Sequence, residues 1–228
     1  MSRANLSLTH LVREPPLAGP TSPPLLLLLH GVGSNEEDLF GLAPYLDERF
    51  LVVSARAPVV LGYGSYGWFR IEFTPGGMVA DAEQAKESLR LLPGFIDELV
   101  ETYSADGRRV YLMGFSQGAM MSLALTLTRP EKVAGVVAMS GRLPKQVLEL
   151  EPDREALAGK PVLVTHGLYD PLLSVEQGRA ARDYLASLPV ELTYHEYPMG
   201  HEVSMESLRD VAAWLTKALG AGGGTPGR

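Results

Sequence analysis

The 228-residue chain has no cysteine, only two asparagines and four glutamines, and no uninterrupted apolar run longer than five residues. Lack of cysteine excludes disulfides, cysteine-ligated zinc, iron–sulfur clusters, CxxC redox chemistry and a thiol nucleophile. The short runs exclude a membrane-spanning helix, which needs about 20 consecutive apolar residues. Positive charge is scarce too: 20 Lys and Arg stand against 27 Asp and Glu, giving a net charge of −7 with no basic cluster. Nucleic acid as the main ligand is therefore disfavoured. The dearth of amide side chains weakly suits a thermally selected or GC-rich source.

What remains is 46% hydrophobic and 21% charged, enough to bury the core of one α/β domain. The first twelve residues carry Arg3, Asn5 and His10 and lack a charged segment leading into an apolar run. They read as the start of a mature cytoplasmic chain.

Short apolar runs alternate with segments of helical period. Strands are expected over residues 6–12, 25–29, 50–54, 109–115, 133–139, 161–165 and 190–197, with helices over 38–46, 81–103, 117–128, 175–188 and 204–219. Residues 58–77 read as a loop rich in glycine and aromatics, and 143–157 as a mixed excursion, either a lid or simple packing. Strand and helix in alternation imply a mostly parallel sheet covered on both faces. Ligands of such sheets sit beyond the carboxyl ends of the strands, so chemistry belongs in the loops after Leu29, Phe115, Thr165 and Tyr197.

One of those loops contains Gly114-Phe115-Ser116-Gln117-Gly118. This GxSxG pattern suits a tight strand-to-helix turn that lifts a serine hydroxyl clear of the sheet. Composition alone yields roughly 0.16 chance matches, so the weight lies in the expected strand before it and helix after it. An ordinary strand-to-helix turn is the bland alternative.

A serine hydroxyl needs a base, and the base an orienting carboxylate. Of His10, His30, His166, His195 and His201, only His201 lies in a loop after the final strand and before the last helix. Asp170, on a loop between Ser116 and His201, is the best-placed carboxylate; Asp153 lies in the excursion and Asp183 in a helix. The alternative for Asp170 is a turn or helix cap. Oxyanion stabilisation needs amides beside the nucleophile, and Val32, in His30-Gly31-Val32-Gly33, and Gln117 are the expected pair. His30 reads as a brace for that loop. The aromatic stretch 62–75, with Tyr63, Tyr66, Trp68, Phe69 and Phe73, suits an acyl-pocket wall or a hairpin core equally.

The motifs HGVGSNEEDLFGLAP, YGWF, GFSQGAMMSLAL, HGLYDP and GH, in this order and at these spacings, resemble the carboxylesterase and acyl-protein thioesterase (phospholipase/carboxylesterase) family of α/β hydrolases. The resemblance runs from about residue 24 to 219. It implies an α/β-hydrolase fold without a large cap domain, so that residues 1–219 read as a single domain, and the glycine-rich stretch 220–228 reads from its composition as a flexible tail. It also implies a Ser116, Asp170, His201 triad, main-chain donors at Val32 and Gln117, and substrate contacts from Trp68 and Phe69. Leu172, Leu173 and Ser174 depart from the valine and proline common after the family's aspartate, which makes pocket shape less transferable. Dienelactone hydrolases share the fold but use a cysteine this chain lacks.

The expected activity is that of a serine carboxylesterase acting on short- to medium-chain acyl esters, with no metal or organic cofactor. An acyl-protein thioesterase or lysophospholipase would use the same triad; a non-catalytic binding protein of this fold usually lacks one member. The expected partner is a small-molecule ester or thioester, without nucleic acid or stable membrane insertion, and a homodimer stays open.

Overall fold

The computed structural model describes residues 6–16, 21–74 and 77–221. In chain order the elements are β1 (His10–Arg13), β2 (Pro24–Leu29), α1 (Glu36–Phe40), β3 (Leu51–Ala55), β4 (Val59–Gly62), β5 (Ser65–Gly67), β6 (Ile71–Thr74), β7 (Gly77–Ala80), α2 (Ala82–Tyr103) and β8 (Asp106–Phe115). There follow α3 (Gln117–Thr128), β9 (Gly135–Met139), α4 (Lys145–Leu148), α5 (Arg154–Leu157), β10 (Pro161–Gly167), α6 (Val175–Ala186), β11 (Glu191–Tyr197) and α7 (Met205–Ala221).

A seven-stranded sheet in the order β1-β3-β2-β8-β9-β10-β11 forms the centre. All neighbours run parallel except β1, which is antiparallel to β3. β2 shows why its sequence is a continuous leucine run. Leu25, Leu27 and Leu29 face a core that includes Leu92, Phe95, Ile96 and Leu99 of α2, together with residues of α3 and α6. Leu26 and Leu28 face the opposite core, with Leu39 of α1 and Leu208, Val211 and Leu215 of α7. With helices on both faces, neither set can be polar.

α2 begins at Asp81, whose carboxylate accepts from the Glu83 and Gln84 amides, and it continues through Pro93. α3 is buried along almost its whole length. Its polar residues survive there because Ser122 and Thr126 donate their hydroxyls to the carbonyls of Gly118 and Ser122, at 2.9 and 2.8 Å. Ser204 caps α7 by accepting from the Ser207 amide at 3.1 Å.

Four regions are to be set against expectation. The strand expected over 6–12 is the four-residue β1, because the Ser7 amide turns away to donate to Glu98 on α2. The expected loop at 58–77 holds two hairpins, β4–β5 and β6–β7, whose strands are too short to establish a readable period. In the excursion, Leu143, Val147 and Leu157 join the main core, so these residues are packing. Of the expected tail, Gly220 and Ala221 complete α7; residues 222–228 lie outside the described residues.

Candidate active site

β8 passes into α3 through Ser116 alone. Ser116 has φ 54° and ψ −114°, a region that costs a non-glycine residue about 1–3 kcal/mol. The surroundings hold it there. Its amide donates to Met139 O at 2.9 Å, at the end of β9, and its carbonyl accepts from the Met120 amide at 3.1 Å. Gly118 explains part of the pattern: a Cβ there would overlap the carbonyl of Leu29, so only glycine lets α3 begin this close to β2.

Asp170 follows β10, and its side chain is buried. Oδ1 accepts from the Leu172 and Leu173 amides, both at 2.9 Å, and Oδ2 lies 2.6 Å from His201 Nδ1. Burial pushes this carboxyl up, but the Leu173 amide, the His201 bond and the Leu172 amide outweigh it and hold the group below the usual carboxylate range. An ionised carboxylate can only accept, so the imidazole proton belongs on Nδ1. The unprotonated Nε2 then faces Ser116 Oγ at 2.9 Å, the geometry that a general base would require. The loops carrying Asp170 and His201 are joined by main-chain bonds, Leu168 N to Tyr197 O at 2.8 Å and Tyr169 N to Met199 O at 3.1 Å. The Phe115 ring lies 4.9 Å from the imidazole, centre to centre.

The other histidines have different places. His10 bridges Leu8 O and the Tyr103 hydroxyl, and His195 is exposed on β11. His30 is fully buried. Its Nδ1 meets Gly31 O at 2.7 Å and its Nε2 accepts from the Ala57 amide at 3.0 Å, bracing the loop as its position suggested. Burial lowers its pKa, which suits a neutral ring. His166 is the one that sequence reasoning passed over: it is fully buried beneath Asp170, donates from Nε2 to Leu173 O at 2.7 Å, and lies 3.6 Å from Asp170 Oδ2. Its signal was the position four residues before the aspartate.

Among the described residues, the main-chain amides of Val32 and Gln117 have no hydrogen-bond acceptor. The Val32 loop is pinned to the β4–β5 hairpin, since Gly33 N donates to Tyr66 O and Tyr66 N to Ser34 O, both at 2.8 Å. Gln117 also works through its side chain, accepting from the Trp68 amide at 2.6 Å and donating to Phe69 O at 2.8 Å. The hairpin segment is thereby tied to the elbow.

Trp68 corrects an expectation. It has no exposed surface and its indole N–H donates to His30 O at 3.0 Å, so it braces the loop and has no face to offer a substrate. Phe69 does line a cavity, of about 290 Å³, with Val79, Ala85, Leu89, Met120 and Val147 among its other walls. Met120 lies one helical turn beyond Ser116.

The family model described as phospholipase/carboxylesterase matches residues 19–219. The chain belongs to that family. Among curated members, it is 30% identical to acyl-protein thioesterase 1 of Kluyveromyces lactis over 212 residues, spanning 86% of this chain and 92% of that one. It is 27% identical to carboxylesterase SOBER1 of Arabidopsis thaliana over 206 residues, spanning 85% and 90%. The solved carboxylesterase of Bacillus cereus superposes with a TM-score of 0.82 at 29% identity, covering 94% of this chain and 96% of that one. Like other phospholipase/carboxylesterase family members, this chain is an α/β hydrolase. Among its described residues, no helix is long and apolar enough to cross a membrane.

Proposed function

We propose that this chain is a serine carboxylesterase that hydrolyses short- to medium-chain acyl esters through an acyl–Ser116 intermediate. One observation carries the reading: Ser116, His201 and Asp170 form a continuous hydrogen-bonded chain, 2.9 and 2.6 Å long at its two links, with the serine on a strained turn. His201 Nε2 takes the Ser116 proton as Oγ attacks the ester carbonyl. Asp170 keeps the imidazole in the required tautomer and stabilises the imidazolium. The amides of Val32 and Gln117 receive the oxyanion, a contribution of about 3–4 kcal/mol for one donor in comparable sites. His201 then returns the proton to the leaving alcohol and activates the water that releases the acyl group. None of these steps calls for a cofactor.

The apolar cavity that Met120 of the elbow helix lines, and the thioesterases among the relatives, favour a second reading with the same groups: a thioesterase or lysophospholipase acting on a longer chain. A non-catalytic binding protein is disfavoured because all three side chains are present and hydrogen-bonded. A cytoplasmic location belongs to the same reading, and fractionation of the source cells tests it.

Purified protein should react with a fluorophosphonate at Ser116 and hydrolyse p-nitrophenyl butyrate, and Ser116→Ala should remove both while leaving the circular dichroism spectrum intact. Full turnover by the folded alanine variant would overturn the assignment. Comparing C4 and C12 esters with a palmitoyl thioester separates the two enzymatic readings.

A further inference from the structure

The cavity beside the elbow is lined by two cations, Lys86 and Arg142, among otherwise largely apolar walls. Lys86 is on the outer surface and paired with Glu83 at 2.7 Å. Arg142 is different. It is half-buried, on the segment after β9, and among the described residues its guanidinium has neither a hydrogen-bond acceptor nor a carboxylate partner. Burial pushes its pKa down, and no neighbouring anion pushes it back.

Several other arginines are matched by a carboxylate. Arg49 pairs with Asp47 at 2.7 Å, Arg56 with Glu36, and Arg179 with Glu196 at 2.8 Å. A chain with a net charge of −7 has carboxylates to spare, yet none of the described residues supplies one here. Partial desolvation of an unpaired cation is unfavourable, and a bound anion would offset it.

The main chain just before Arg142 packs against the elbow. A Cβ on its neighbour Gly141 would lie 2.6 Å from Ala119 Cβ and 3.3 Å from Ser116 O, so this stretch of main chain rests on the elbow. Met120 lies both on the helix that begins after Ser116 and on the cavity wall, so an acyl group that passes Met120 enters an apolar space that Arg142 also lines.

We propose that this cavity takes an acyl chain ending in a carboxylate, with Arg142 as the residue that selects it. The proposal rests on Ser116 being the nucleophile. A single unpaired guanidinium matches one negative charge and the two oxygens of a carboxylate; a dianionic phosphate would call for a second free cation, and Lys86 is already paired. The favoured substrates are half-esters of aliphatic dicarboxylic acids, cleaved to the free diacid and an alcohol. Arg142 touches only the far end of the chain and takes no part in proton transfer.

The test compares kcat/KM for mono-p-nitrophenyl suberate and for its methyl-capped diester, which has the same chain and no charge. The wild-type protein should favour the free carboxylate about tenfold or more, mainly through KM. Arg142→Gln should bring the ratio to one or below, and Arg142→Lys should restore part of it. A wild-type ratio at or below one, or a ratio unchanged in a folded Arg142→Gln variant, would overturn the proposal. The wild-type ratio decides alone if that variant does not fold. p-Nitrophenyl acetate, whose acyl group is too short to reach Arg142, separates the two failures: no hydrolysis of the acetate means that the nucleophile is misassigned.

Discussion

The elbow edge and the cavity wall lie side by side and are built in opposite ways. At the elbow, the Asp170 carboxylate has the Leu172 and Leu173 amides and His201 around it, and Ser116 is held through its own main chain by β9 and α3. Across the wall the contacts come from side chains of Phe69, Val79, Leu89, Met120 and Val147, and the one half-buried cation has no partner among the described residues. Main-chain contacts at the ends of strands survive most substitutions, whereas a wall of side chains changes with each one. The chemistry is thereby insulated from changes in what the enzyme accepts.

The largest expected effect comes from the elbow edge. Asp170→Asn keeps the volume but cannot stabilise an imidazolium, so kcat for p-nitrophenyl butyrate should fall about 10⁴-fold. A pH dependence accompanies it. The folded-state pKa of Asp170 lies below its ordinary value of 3.8, so the stabilisation is complete above that value and is lost as pH falls through the lower folded one. The stability difference between wild type and Asp170→Asn, followed by thermal melts, should be constant near neutrality and narrow only below about pH 4. A difference that narrowed on raising the pH would contradict the assigned environment.

Gly118→Ala should come next. The new methyl meets the Leu29 carbonyl, a rigid strand atom, so denaturant titration should show a loss of about 1–3 kcal/mol or more, with activity falling as the elbow shifts. Wild-type stability would mean that α3 can move away from β2, and the contrast between a rigid elbow and an adaptable wall would weaken.

Gln117→Ala tests the link between the two regions. It leaves the Trp68 amide and Phe69 carbonyl buried without their partner, at a cost of about 1–3 kcal/mol. Its main-chain amide is retained, so kcat should fall far less than in Asp170→Asn, while KM for longer acyl chains rises as the wall loosens. Leu172→Val should do least. Leu172 is 59% exposed and reaches Asp170 only through its amide, so melting and kcat should stay within about 0.5 kcal/mol of wild type.

The helices α2, α3, α6 and α7 and the core of the parallel sheet were legible from periodicity, as was the crossing of β8 into α3 at Ser116. β1 and the two hairpins were less so, since strands of three or four residues have no resolvable period and the early chain is diverted by the Ser7–Glu98 bond. His201 could be selected from five histidines because chain order and loop position alone separate it from the others. The departure at Leu172, Leu173 and Ser174 leaves the aspartate's surroundings intact, because two main-chain amides hold the carboxylate whatever the side chains are.

Sequence by itself determined the doubly covered sheet, that a nucleophile of this chain would be a hydroxyl and not a thiol, and the order of Ser116, Asp170 and His201 along the chain, because these depend on residue type and local spacing. Only the tertiary structure decided that Trp68 is a buried brace while its neighbour Phe69 lines a cavity, that His166 supports the aspartate loop, and that Arg142 has no carboxylate beside it among the described residues. Each of these depends on which side chains from distant segments meet, and pattern along one strand or helix reports that a residue is buried without saying what it is buried against.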